Sequence, residues 1–255
     1  MSWRWDFHDF PTLFLTDGKY RRIEFINKFF FFDKKSIFDK KSISDEKFIF
    51  GIGNFLDHAA SGELPAVSWI DSNFVNVGAA NANDDHPPAD IRAGQALVNK
   101  LYNALVRSPA WEKTLLIITY DEHGGFFDHV VPPDAADDDA GFRCFGCRVP
   151  TLIVSPWVKK GESSHIIFDH TSIIKTILLR FCSQTDGIIP EMGARTAAAN
   201  HLGCLLTEDV PGPVPQPQQI QILGEQIFRT EAARKLEQAQ RPVPELTKFQ
   251  KGYWP

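Results

Sequence analysis

Cysteine is scarce in this chain, with four in 255 residues, too few for the disulfide framework that staples small secreted domains. Cys144 and Cys147 form a Cys-x-x-Cys pair, but no second pair follows at zinc-site spacing, which argues against a structural zinc site. Positive charge is in deficit as well: 27 Lys and Arg stand against 32 Asp and Glu, a formal net charge of −5. That balance disfavours broad binding to a nucleic-acid backbone. Long apolar runs are missing, and none reaches the ~18 residues that a membrane-spanning helix needs. The opening Met1-Ser2-Trp3-Arg4-Trp5-Asp6 is charged and aromatic, without the apolar stretch of a signal peptide, and the compartment stays open.

What remains is the composition of an ordinary globular protein, 43% hydrophobic and 23% charged, long enough to bury a real core. Aromatic residues crowd the start (Trp3, Trp5, Phe7, Phe10, Phe14) and need a cover, so the natural fold is expected to begin before Met1. Phe32-Asp33-Lys34-Lys35-Ser36-Ile37 is repeated as Phe38-Asp39-Lys40-Lys41-Ser42-Ile43, and residues 29–50 read as a low-complexity insertion at the surface. The expected domain covers 1–209 with that insertion inside it. Residues 210–255 then carry a Pro-rich linker (Pro211, Pro213, Pro215, Pro217), an amphipathic helix over 220–240 and a tail.

The chain is organised around Thr114-Leu115-Leu116-Ile117-Ile118-Thr119-Tyr120, which runs into Asp121-Glu122-His123-Gly124-Gly125-Phe126-Phe127-Asp128-His129. The first half is apolar and β-branched, the length of one buried strand. The second half sets three carboxylates and two imidazoles within nine residues. Carboxylate oxygens suit hard cations and imidazoles suit transition ions, so the loop is a candidate metal site. Gly124-Gly125 lets the backbone turn and bring the second Asp-His pair toward the first. A bland reading remains, an acidic solvated turn; charges set directly against a buried strand favour the site.

Two further segments bear on it. Asn83-Asp84-Asp85-His86-Pro87-Pro88 is a polar loop ahead of a helix over 90–107, with Asp90 as its cap and Ile91, Gly94, Val98, Leu101 and Leu105 on one face. Asp84 reads as a solvated neighbour. Phe168-Asp169-His170-Thr171-Ser172 opens a second helix over 170–182, with Asp169 as N-cap and amide donors that suit an anion. Asp134 to Asp139 reads as a solvated excursion. Arg148 precedes a second apolar strand over 149–155; it can pair with a site carboxylate, touch phosphate or bridge two loops. A structural role is preferred because it enters the strand at the end away from Ser155. The alternation of helices and apolar strands implies an α/β fold with a parallel or mixed sheet covered by helices.

Tyr120-Asp121-Glu122-His123-Gly124-Gly125-Phe126-Phe127-Asp128-His129-Val130 resembles the signature of the phosphoesterase family of non-specific phospholipases C and acid phosphatases, within the alkaline-phosphatase-like superfamily. The segments Gly62-Glu63-Leu64-Pro65, Asp85-His86-Pro87, Arg148-Val149-Pro150 and Asp169-His170-Thr171-Ser172 are similar to the same family. The resemblance implies an α/β/α sandwich with a mostly parallel or mixed central sheet, and metal-assisted hydrolysis of phosphate esters, either phospholipid or soluble phosphomonoester. It implies a divalent metal ion on Asp121, Glu122 and Asp85, with His86, His129 and His170 contacting phosphate or moving protons. His123 and Asp128 would shape the loop. Nucleic acid is not an expected partner, peripheral contact with a membrane is open, and family members are often secreted. The family places a Glu-Asn metal motif and a Thr or Ser nucleophile ahead of the segment that resembles residues 1–10, and neither occurs here. The domain is therefore expected to be N-terminally incomplete, which leaves a second reading: a catalytically incomplete chain that binds metal or phosphate, or serves as an interaction domain.

Overall fold

The computed structural model describes residues 2–7, 48–50, 53–74, 82–87, 91–184 and 187–216, with positions 229 and 233. The chain divides into two compact units, Met1–Pro215 and Gln216–Pro255. In the second unit, 229 and 233 are helical; the remainder of the expected 220–240 helix lies outside the described residues. No helix among the described residues is long and apolar enough to cross a membrane.

The first unit is mixed α/β, as the alternating pattern implied. Strand β1 (Trp3–Phe7) lies between β2 (Phe48–Phe50) and β3 (Val67–Ile70), and both pairings are parallel. The expected insertion at 29–50 is therefore corrected at its end, because Phe48–Phe50 is a strand in register with Trp5–Phe7. The other residues of the repeat lie outside the described residues. Helix α1 (Gly53–Ser61) connects β2 toward β3, through a turn at Gly62 whose φ of +76° suits glycine.

Helix α2 (Arg92–Val106) is rich in Ala, Leu, Gln and Lys, strong helix formers, and packs against α1. Its buried positions Gly94, Leu101 and Leu105 repeat at helical spacing, as read from the sequence. Together with Phe55, Ala59, Val106, Trp111 and Leu202 they are the buried apolar positions among the described residues. Burying each large side chain contributes about 1.5–3 kcal/mol. The expected start of this helix shifts: Ile91 occupies the cap position and offers no side-chain hydrogen bond, while Asp90 lies outside the described residues. Ser108-Pro109 ends the helix as expected, and the Ser108 amide donates to the Leu105 carbonyl.

Strands β4 (Leu116–Thr119) and β5 (Thr151–Val154) pair with each other, and the pairing is antiparallel. Both were expected to be buried. Instead β4 is half-buried along its length and Leu152 of β5 is 59% exposed. An apolar β-branched run states strand propensity; how much of each face is covered depends on neighbours that the run does not encode.

Helix α3 (His170–Phe181) opens with the capping box expected of Asp169: its carboxylate accepts the Ser172 amide while the Ser172 hydroxyl accepts the Asp169 amide. The cap counts here because Ile173, Ile174, Thr176 and Ile177 are β-branched and weak helix formers. Lys175 donates to the carbonyls of Ala197 and Ala199 at the end of α4 (Gly193–Ala198), both at 2.7 Å, satisfying groups that a helix terminus leaves open.

Candidate functional site

Antiparallel pairing decides the geography of the site. Thr119 at the exit of β4 faces Thr151 at the entry of β5, and their hydroxyls lie 2.8 Å apart. Arg148, just ahead of β5, therefore reaches the acidic loop that follows β4. It enters β5 at the end away from Ser155, as expected, and that end lies beside the acidic loop because β4 and β5 are antiparallel. Arg148 binds Asp128 with Nε at 2.9 Å and Nη2 at 2.7 Å, and its amide donates to the same carboxylate at 3.0 Å. These donors, with the Val130 amide, hold the Asp128 carboxyl far below the usual carboxylate range.

The loop folds on itself as the glycine pair suggested. Gly124 and Gly125 have φ of +64° and +74°, a conformation side chains resist, and the Phe126 amide donates to the His123 carbonyl. Asp121 Oδ1 accepts the Glu122 amide at 3.0 Å, and Glu122 Oε2 accepts the Gly124 amide at 2.7 Å. His123 Nδ1 lies 2.8 Å from the Phe126 carbonyl. A carbonyl only accepts, so Nδ1 carries the proton and Nε2 is the basic nitrogen of the neutral ring. His123 and Asp128 shape the loop, in line with expectation.

Two other segments come to this loop. Tyr120 Oη donates to Asp85 Oδ2 at 2.8 Å. A side chain on Gly124 would come within 3.0 Å of Pro87, so the 82–87 loop abuts the turn itself. His86 lies between these two contacts, with its side chain exposed. From the third direction His170, the first residue of α3, brings Nε2 to 2.8 Å from the Tyr120 carbonyl. By the same reasoning its Nδ1 is the basic nitrogen. Asp85 thus reaches the phenol of Tyr120 and His170 its carbonyl, at the two ends of the residue that precedes Asp121. His129 is different: its exposed ring lies 3.9 Å from Asp128 and contacts neither of the converging segments in any described hydrogen bond.

Several residues carry more than the sequence suggested. Asp84 is not simply solvated, since its Oδ1 is buried without a hydrogen-bond partner among the described residues. Asp85 is the one described residue other than glycine with positive φ, at +63°. Gly94, which read only as a face position of α2, makes room for it: a methyl there would stand 2.2 Å from Asp85 Oδ1. A glycine inside a helical pattern is the signal that could have flagged it. The acidic excursion is largely exposed, as expected, and it is also anchored. Asp137 pairs with Arg195 at 2.8 Å, Asp138 accepts the Ala194 amide, and Arg195 also reaches the Phe142 carbonyl. Arg195 was missed because its hydrogen-bond partners lie more than fifty residues away.

Carboxylate oxygens at Asp85, Asp121 and Glu122 have the hardness a divalent cation prefers. Among the described residues, however, no three His, Cys, Asp or Glu side chains gather closely enough to hold an ion. A cation here would take only part of its shell from them.

A mixed α/β frame, with acids at a strand exit and histidines brought in from separate loops, defines the class of protein. Residues 2–182 match the model of the phosphoesterase family, and the chain belongs to that family. It is 43% identical over 144 residues to non-specific phospholipase C6 of Arabidopsis thaliana, an overlap of 48% of this chain and 27% of the relative. Phospholipase C B of Mycobacterium tuberculosis strain H37Rv is 37% identical over 149 residues, 49% of this chain and 27% of that protein. Non-hemolytic phospholipase C of Burkholderia pseudomallei is 39% identical over 143 residues, covering 48% and 19%. The chain thus spans about a quarter of the length of the first two relatives and less of the third.

Proposed function

We propose that this chain carries part of a phosphate-ester hydrolase site, phospholipase C-like or acid-phosphatase-like in substrate. The observation that carries the reading is the attachment of Asp85 to the phenol and of His170 to the carbonyl of Tyr120, next in sequence to the Asp121-Glu122 pair, in a chain of the phosphoesterase family. Hydrolysis of such an ester forms a bond from phosphorus to a water oxygen, breaks the P–O bond to the leaving group, and moves a proton from that water to the departing oxygen. His86 and His170 are the candidates for contacting phosphoryl oxygens and moving that proton, and Nδ1 of His170 is the atom free to accept it. His129 remains a candidate for phosphate contact through its exposed ring. Among the described residues Asp121, Glu122 and Asp85 do not gather into an ion site, and the proposed proton chemistry rests on the histidines. Phospholipid is a proposed substrate by analogy with the relatives' names, and peripheral contact with a lipid surface goes with it.

A second reading, a non-catalytic domain that binds phosphate or a partner, is favoured by one observation. Asp121, Glu122, His129 and His170 are all solvent-exposed, whereas water exclusion strengthens electrostatic catalysis. Incubating the chain with p-nitrophenyl phosphate or phosphatidylcholine and added divalent ions separates the two. Turnover abolished by Asp121→Asn supports the hydrolase; no turnover with any divalent ion sinks it and leaves the second reading.

A further inference from the structure

Tyr120 has no part in the reaction proposed above, yet two of the converging segments are attached to it. We propose that Tyr120 is a positioning residue: its phenol tethers Asp85, and with it His86, against the acidic loop, while its carbonyl determines which nitrogen of His170 stays basic. The role rests on the phosphoesterase reading for its purpose, and on the geometry alone for the tether.

Three observations carry it. Asp85 sits at φ +63°, an uncommon conformation that aspartate adopts more readily than most residues and that its contacts help to hold. Those contacts are a clamp. Tyr120 Oη grips Oδ2 from one side at 2.8 Å, and the bare backbone of Gly94 meets Oδ1 from the other. Second, the clamp has a fixed base, because Tyr120 directly follows Thr119, which is pinned across the ladder to Thr151. Third, Tyr120 is 38% exposed, so filling the core does not account for it.

The His170 contact completes the arrangement. Its Nε2–H donates to the Tyr120 carbonyl, an acceptor that no side-chain substitution at 120 removes. Replacing Tyr120 by Phe therefore cuts the tether to Asp85 and leaves the His170 contact in place. Shape is nearly conserved, and the ring stays where it was.

The test compares the full chain with its Tyr120→Phe variant by two readouts. In hydrogen exchange, the amides of residues 83–86 should open about tenfold faster in Tyr120→Phe, while those of the α2 interior keep their rates. With p-nitrophenyl phosphate and a divalent ion, kcat should fall about tenfold with KM nearly unchanged, and Tyr120→Phe should cost nothing more in an Asp85→Ala background. Unchanged exchange at 83–86 overturns the tether, whether or not the chain turns over. Faster exchange with an undiminished kcat overturns the positioning role. A parent chain without turnover sinks the hydrolase reading instead, and exchange then decides the tether by itself.

Discussion

Arg148 holds Asp128 with two guanidinium nitrogens, at 2.9 and 2.7 Å, and so ties the entry of β5 to the far end of the acidic loop. A planar fork matched to a carboxylate is a geometry that lysine cannot reproduce. Arg148 is open to solvent while Asp128 is largely covered, so with one partner hydrated the pair acts mainly as a clasp on the loop.

Arg148→Lys should therefore leave thermal stability almost unchanged while opening the loop. The Asp128 carboxyl is depressed chiefly by Arg148, then by the Val130 amide. A carboxyl lowered in the folded state contributes in full above its ordinary value of 3.8, and the contribution is lost as pH falls through the depressed one. Limited proteolysis within residues 121–148 should be slow in the parent at neutral pH and accelerate under strong acid. Arg148→Lys should be cut faster even at neutral pH. Equal cleavage rates in the two proteins would refute the clasp.

Tyr120 gives a complementary expectation at the alkaline end. Partial burial, the hydrogen bond to Asp85 and the charge of that carboxylate push its phenol up to about 12. A phenol raised in the folded state stabilises the fold below its ordinary value of 10.0, and that contribution disappears as pH climbs through about 12. Ultraviolet difference titration of the parent against Tyr120→Phe isolates this ring from the other three tyrosines. A difference curve centred near 10 would show that Asp85 and Tyr120 do not interact in solution.

Gly94→Ala sets two effects against each other. Alanine improves helix propensity by about 1 kcal/mol. Its methyl would stand 2.2 Å from Asp85 Oδ1, a clash with a carboxylate held on its other side by Tyr120. Overpacking of this kind costs about 1–3 kcal/mol, so the clash should win and lower the melting midpoint. Combining Gly94→Ala with Asp85→Ala should recover the loss, because the obstructing carboxylate is then gone. A stabilised single variant would mean that Asp85 does not press on α2.

Much of the site could be read along the chain. Asp121-Glu122-His123 after an apolar strand, the glycine pair with positive φ, the Asp169 cap and the helical spacing of Leu101 and Leu105 are local features, written within a few residues of where they act. The partners of Arg195 and Tyr120 were illegible for the opposite reason. Each acts on a group distant in sequence, and nothing in its own neighbourhood records that group. The family signature supplied candidates for the site, but it could not say that His170 would use its Nε2 on a backbone carbonyl.

By itself the sequence determined the family, the mixed α/β class, the acidic loop and the Asp169 cap, since propensity, glycine freedom and capping are short-range physics. Only the tertiary structure decided that β5 runs antiparallel to β4, and through that register that Arg148 reaches Asp128. It alone decided that Asp85 is clamped between Tyr120 and Gly94. Strand direction and side-chain contact are settled by which surfaces meet when the chain closes, and a linear pattern of apolar residues is the same for either direction.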